Sequence, residues 1–148
     1  MRGRARAGAL AYLRTMRTHA FRLTNGADLK ESIEEYVRLH DMSAGWILAC
    51  VGSLSRAVLR MPGARDVLTL QRDLEIVSME GTLSLDGCHL HAAVSDHEGA
   101  VLGGHVSSGC VVRTTAEIVL AEDHSFAFSR ERDEGTGFRE LVVRPRRS

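Results

Sequence analysis

The chain has 148 residues, of which 44% are hydrophobic, and its acidic and basic side chains are equal in number at 19 each. A chain of this length forms one domain that buries about 70% of its unfolded surface, so we expect it to fold without help from a metal or a disulfide. No apolar run reaches the ~18 residues of a membrane span, and arginines interrupt the N-terminal stretch where a secretory signal would be apolar, so we expect a cytoplasmic protein with no membrane partner.

The balanced charge is unevenly distributed. Residues 1–27 contain six arginines and no acidic residue, residues 144–148 contain three more arginines, and residues 28–143 carry 10 basic and 19 acidic side chains, which leaves this part at −9. Because Lys and Arg neutralise phosphates in nucleic-acid complexes, we expect any DNA affinity to come from the tails, with Arg2, Arg4 and Arg6 as the nucleic-acid arm. The alternative is a terminus that is only solvated and disordered.

One helix is predicted in the body of the chain. Asp28 is a candidate N-cap for residues 29–42, and Glu31 completes a capping box. The residues expected on its buried face are Leu29, Ile33, Tyr36, Val37 and His40.

The rest of the sequence predicts strands at 44–52, 54–60, 74–85, 89–95, 104–112, 114–121, 125–130 and 139–143. Reversals at Asp86-Gly87 and Glu98-Gly99 indicate an antiparallel arrangement.

Three histidines form a candidate metal site. His89 and His91 are two residues apart in a predicted strand, so their imidazoles project from one face. His105 follows the Gly103-Gly104 pair, which lets the backbone bend or approach a neighbour closely as the next strand returns. Three imidazoles suit zinc, nickel, copper or iron, and three protein ligands leave a tetrahedral zinc one open position for water or substrate.

Two cysteines are the obvious candidates for a fourth ligand. Strand alternation places Cys88 on the face opposite His89, and Cys110 on the face opposite His105 if that strand is unbroken, so we expect neither thiol to reach the ion. The odd number and irregular spacing of the cysteines favour reduced thiols. The alternative for the histidines is hydrogen bonding to neighbouring carboxylates or carbonyls, as isolated histidines usually do.

Four segments occur in an order that resembles a known family: HLH at 89–91, GGH at 103–105, EIVL at 117–120 and TGFREL at 136–141. They are similar to the plants and prokaryotes conserved (PPC) domain, and the resemblance covers residues 19 to about 143. It implies an α+β fold in which a strongly bent antiparallel sheet packs with one main helix, and a homotrimer. It also implies that His89, His91 and His105 hold a metal. We therefore expect a basic arm at 1–17, a PPC domain at 18–143 and a basic tail at 144–148.

The resemblance favours a regulatory or DNA-associated module that holds one divalent transition metal per subunit, with zinc as the first choice. In plants this domain follows AT-hooks, whose Arg-Gly-Arg-Pro core enters the minor groove. Here Arg2-Gly3-Arg4 is followed by Ala5 instead of proline, and the motif has no second copy. A single basic arm is still suited to the narrow minor groove of A·T-rich DNA.

The alternative function is enzymatic. The PPC fold is similar to that of acetolactate decarboxylase, which also holds zinc with three histidines, and an open zinc position can polarise a carbonyl or activate water. This predicts a lyase or hydrolase that binds a small carbonyl compound at the metal. The candidates for an acid, a base or a charge clamp are Glu80, Asp96, His97, Arg113, Glu117 and Arg130. The sequence places none of them near the metal, and surface or interface ion pairs are the simpler interpretation, so the catalytic residues stay unassigned.

Overall fold

The computed structural model describes residues 16–63 and 65–146, and within these ranges the chain forms one helix and eight strands. Their order is β1 (Met16–Thr24), α1 (Leu29–Leu39), β2 (Gly45–Arg60), β3 (Val67–Ser84), β4 (Gly87–Ser95), β5 (Val101–Val106), β6 (Val111–Asp123), β7 (Phe126–Arg132) and β8 (Arg139–Pro145).

Six strands form one antiparallel sheet, and its curvature brings two distant strands together. The order is β1-β6-β2-β3-β4-β5, and β5 also pairs with the end of β2, where Leu59 lies opposite Val106 and Arg60 opposite His105. Register shifts along β2 bend the strand as β-bulges do. The four strands β2 to β5 therefore curl back on themselves, which confirms the strongly bent sheet. β7 and β8 form a separate two-stranded sheet.

The helix packs on the sheet as predicted but is shorter. Asp28 is the N-cap, and its Oδ1 accepts a hydrogen bond from the Glu31 backbone N–H at 3.0 Å. Leu29, Ile33 and Val37 are buried, and the helix ends at Leu39. Three residues of the predicted 29–42 segment therefore lie beyond it.

Several predicted strand boundaries are wrong. Segment 104–112 is not one strand, because Gly109 turns the chain with a φ of +101° and a new strand begins at Val111. Segments 44–52 and 54–60 are parts of β2. β1 was not predicted, because His19 is its only fully buried side chain and its apolar alternation is weak. β1 begins at Met16, so it includes the last two residues assigned to the arm.

A buried polar contact fixes β1. His19 Nε2 lies 2.8 Å from Glu122 Oε2 on β6, and His19 Nδ1 lies 3.2 Å from the Tyr36 hydroxyl on α1. Both His19 and Glu122 are less than a tenth exposed. One imidazole therefore connects the edge strand to its neighbour and to the helix.

An exposed apolar patch lies between β2 and β3, two inner strands of the main sheet. The β2–β3 ladder is interrupted between the Trp46–Thr82 and Gly52–Ile76 pairs, and the gap forms a surface cavity of about 590 Å³. Leu48, Val51 and Val77 are 51%, 54% and 54% exposed there. This apolar gap lies between inner strands of the sheet.

Within the described ranges, no helix is both long enough and apolar enough to cross a bilayer.

The carboxylate of Asp28 connects the start of α1 to the β5–β6 turn. Its Oδ1 caps α1, and its Oδ2 accepts from the Gly109 N–H in the β5–β6 turn. Asp28→Ala removes both bonds and should lower the free energy of unfolding by about 2–3 kcal/mol, measured by urea unfolding. Asp28→Asn keeps one acceptor oxygen and should cost less. Equal losses in the two variants would contradict this double role.

Candidate metal centre

The three predicted histidines meet where β4 pairs with β5. His91 lies directly opposite His105 in the ladder, and His89 is two residues away on the same face of β4. Their candidate ligand nitrogens all lie within 4.8 Å of one another, and the Nε2 atoms of His89 and His91 are 3.1 Å apart. The structure therefore brings together the three residues that the sequence spacing selected.

Two glycines allow this arrangement. A Cβ atom at Gly104 would lie 2.8 Å from the backbone oxygen of Arg60, and one at Gly103 would lie 3.0 Å from that of Ala92. Real Cβ atoms almost never approach another heavy atom within 3.0 Å, so position 104 excludes a side chain and position 103 leaves little room for one. β5 can therefore lie against both β4 and the end of β2, which places His105 between His91 and Arg60.

The environment favours neutral imidazoles. Burial, and then the Arg60 guanidinium, lower the pKa of His105 to about 4. Burial, and then Arg130, also lower the pKa of His89. Neutral imidazole is the form that ligates metals.

The residues fit a bound transition metal. Two nitrogens at ~2.0–2.1 Å from a tetrahedral zinc are about 3.3–3.4 Å apart, close to the observed separation of the His89 and His91 nitrogens. In the part of the chain that the structure describes, Nδ1 of His105 is a buried side-chain nitrogen with no hydrogen-bond partner. A metal ion bound at the cluster would be a binding partner for the His105 ring. The spread of up to 4.8 Å means that a small ring rotation would complete the site.

Among the described residues, the group of closely spaced ligand atoms contains the three histidines and neither Cys88 nor Cys110. The Cys110 thiol is buried against β2, where its sulfur accepts from the Val58 N–H at 3.2 Å. Cys88 precedes His89 on β4 and is half-buried. Burial raises the pKa of Cys88 to about 11, which disfavours the thiolate that ligates metals.

A cleft of about 410 Å³ lies beside the histidines, between the main sheet and the β7–β8 hairpin. Arg130 Nη1 is 3.5 Å from His89 Nδ1, and its Nη2 donates to Thr82 Oγ1 at 2.6 Å. Arg139 donates to the backbone oxygen of Arg130. The lining residues are Arg60, Asp86, Gly87, Cys88, His89, His105, Arg130, Phe138, Arg139 and Glu140.

Of the six acid, base or clamp candidates, two lie at the cluster. Arg130 contacts His89, and Glu80 lies opposite His91 in the β3–β4 ladder. Two others are in ion pairs: Asp96 with Arg72 at 3.2 Å and Arg113 with Asp73 at 2.9 Å. The remaining two, His97 and Glu117, do not line the histidine cleft.

Sequence patterns missed two cleft residues, Arg60 and Arg139. Arg60 reaches the site through the β2–β5 pairing, and no local motif predicts that contact. Arg139 belongs to the TGFREL segment, which served only as a family signature in the sequence. The arm residues Arg2, Arg4 and Arg6 lie outside the described residues.

Comparison with known proteins identifies the family. Residues 10–124 match the Plants and Prokaryotes Conserved (PCC, also PPC) domain. A solved protein from Salmonella enterica is 40% identical, with a TM-score of 0.88 over 90% of this chain and 96% of that one. A metal-containing protein from Archaeoglobus fulgidus is 28% identical, with a TM-score of 0.72 over 85% of this chain and 93% of that one. The chain belongs to the PPC family.

A longer relative contains the same region. The chain is 44% identical over 129 residues to Bifunctional protein GlmU of Synechococcus sp. (strain JA-3-3Ab). The match covers 87% of this chain and 21% of the relative, so the chain spans about a fifth of that protein's length.

His105 makes stability depend on pH. The pKa of His105 in the folded chain is about 4, below its ordinary value of 6.5. As the pH falls from 6.5 to 4, His105 therefore binds a proton in the unfolded chain but stays neutral in the folded chain. The free energy of unfolding of chelator-treated protein should therefore fall with pH over this range in urea titrations. His105→Gln should flatten that slope, and the exposed control His97→Gln should not. An unchanged slope in the first variant would contradict the assignment.

Proposed function

We propose that this chain is a metal-binding PPC module in which His89, His91 and His105 hold one divalent transition metal per subunit, with zinc as the first candidate. The observation that carries the proposal is the convergence of three imidazoles from two paired strands. The metal-containing relative from Archaeoglobus fulgidus supports it. A metal held by three protein ligands keeps a position for another ligand, where it can polarise a carbonyl or activate water.

The module is proposed to be regulatory or DNA-associated. The basic arm with Arg2, Arg4 and Arg6 is its candidate contact with A·T-rich DNA, because the body between residues 28 and 143 is acidic. Arginine is attracted to the narrow minor groove of such DNA.

A homotrimer is part of the proposal. The apolar gap exposes Leu48, Val51 and Val77, and the neighbouring backbone lacks ladder partners on that side of β2 and β3. Contact with another subunit would remove these apolar side chains from water, which is favourable at about 25 cal/mol per Å². A closed threefold assembly would do so for every subunit.

The cleft supports a second candidate function, a metal-dependent lyase or hydrolase acting on a small carbonyl compound. Glu80 lies across the ladder from His91, and Arg130 contacts His89, so a carboxylate and a guanidinium flank the histidines. In this function Arg130 would orient the substrate and Glu80 would move a proton. Turnover of a carbonyl compound that is lost in Glu80→Gln, with metal content unchanged, would favour the enzyme over the regulatory module.

Metal content tests the main proposal. Protein expressed with added zinc should contain about one metal ion per chain by elemental analysis. His89→Ala and His91→Ala should reduce this to near zero, because two imidazoles hold the ion much more weakly than three. His97→Ala is the matched control, since it removes an exposed histidine from the β4–β5 turn. Metal-free wild-type protein, or full metal content in the His89 and His91 variants, would contradict the proposal.

Removal of the arm tests DNA association. A chain that begins at Met16 keeps all of β1 and should lose nearly all affinity for A·T-rich duplex, as should the full chain with Arg2, Arg4 and Arg6 changed to Gln. Full-length binding should weaken steeply with salt. Sedimentation equilibrium should report three times the subunit mass for each protein, and the subunit mass of the full chain is 16.2 kDa. Undiminished binding by the shortened chain would show that the arm is not the DNA contact, and a monomer would refute the trimer.

A further inference from the structure

We propose that the cleft beside the histidines binds a small organic molecule through an anionic group, which accepts hydrogen bonds from Arg130 and from the His89 ring. This rests on the proposed metal site and adds the chemical class of its ligand. A carboxylate and a phosphoryl group share the required chemistry, a negatively charged oxygen acceptor.

The first argument is the hydrogen-bonding state of His89. Its Nε2 faces the Nε2 of His91 at 3.1 Å, so these are the two nitrogens that would hold a metal shared by the rings. A neutral imidazole has one hydrogen, and with Nε2 bound to metal that hydrogen is on Nδ1. With a metal bound, His89 would therefore present an N–H donor to Arg130 in the cleft.

The partner of this donor is another donor. Among the described residues, the polar contact of His89 Nδ1 is Arg130 Nη1 at 3.5 Å, and a guanidinium can only donate. Metal-bound histidines usually donate their second N–H to a carboxylate, a carbonyl or water. With metal bound, neither group at this contact can satisfy the other. An anionic oxygen between them would accept from both.

The charges around the cleft favour the same ligand. Arg60, Arg130 and Arg139 line it, against two acids, Asp86 and Glu140. Among the described residues, neither Arg60 nor Arg130 has a carboxylate within salt-bridge distance, and Arg139 is 3.9 Å from Asp86. A bound divalent metal would add to this positive charge, so an acidic ligand would be attracted to the cleft.

The dimensions limit the ligand to a small molecule. A volume of about 410 Å³ is near the lower end for ligand pockets, which span ~300–1,000 Å³. Phe138, which is 70% exposed, adds an apolar side chain to the wall. The cleft therefore suits one acidic group on a short carbon skeleton.

Calorimetric titration of the zinc-loaded chain tests the inference with three probes. Pyruvate carries a carboxylate, methylphosphonate carries a phosphoryl group, and pyruvamide is the uncharged match for pyruvate. At least one acid should bind at millimolar concentration or below, and pyruvamide should bind at least tenfold more weakly. The preferred acid identifies the anionic group as carboxylate or phosphoryl.

Variants of Arg130 test its role in binding the acid independently of metal binding. Arg130→Gln should weaken binding of the preferred acid by about tenfold or more, because a charge-assisted hydrogen bond is lost. Its metal content should stay near one ion per chain. Arg130→Lys keeps the charge but lacks the planar guanidinium, so its affinity for the preferred acid should lie between those of the wild type and Arg130→Gln. Arg22→Gln makes the same change in net charge on β1, at the opposite edge of the sheet, and should bind like the wild type.

The outcomes distinguish this inference from the proposal beneath it. A chain that cannot be loaded with metal would overturn both. A fully loaded chain that binds neither acid, or binds the preferred acid equally well after Arg130→Gln, would overturn the anion clamp and leave the metal site standing.

Discussion

The site depends on the close approach of β5 to two strands at once. Position 104 lies against the backbone of Arg60 and position 103 against that of Ala92, with room for a hydrogen atom but little more. Because both positions are glycine, β5 can close the curl that begins at β2. Larger side chains there would push β5 away from one neighbour, and His105 would move away from His91 or from Arg60.

That packing also sets the chemistry of the histidines. Burial and the nearby Arg60 lower the pKa of His105, so the ring is neutral where a free histidine would begin to accept a proton. Burial, and then Arg130, lower the pKa of His89. Two imidazoles that resist protonation, next to fixed positive charges, are suited both to a metal ion and to an anionic ligand of that ion.

The β7–β8 hairpin supplies the cleft's second wall and is anchored to the main sheet through Asp86. The carboxylate of Asp86 accepts from the backbone N–H of Arg130 at 3.0 Å, and Arg139 donates to the backbone oxygen of the same residue. Arg130 is thus held from two sides, which directs its guanidinium toward Thr82 and His89.

The sequence determined those features that depend on residues a few positions apart. Alternation along a strand placed His89 and His91 on one face, Asp28 and Glu31 marked the start of the helix, and the order of four short motifs indicated the family. The antiparallel sheet and the reversal at Glu98-Gly99 followed from the same local patterns.

Only the tertiary structure decided what depends on distant strands. Arg60, His89 and Arg130 are far apart in the chain, and they share a cleft because β5 returns to β2 and β7 packs beside β3. The predicted strand 104–112 is instead the end of β5 and the start of β6, because Gly109 has a positive φ and the chain turns there. The apolar gap lies between β2 and β3, two inner strands of the sheet, because their ladder opens locally. Pairing between strands is set by the whole sheet, and no short segment of sequence contains that information.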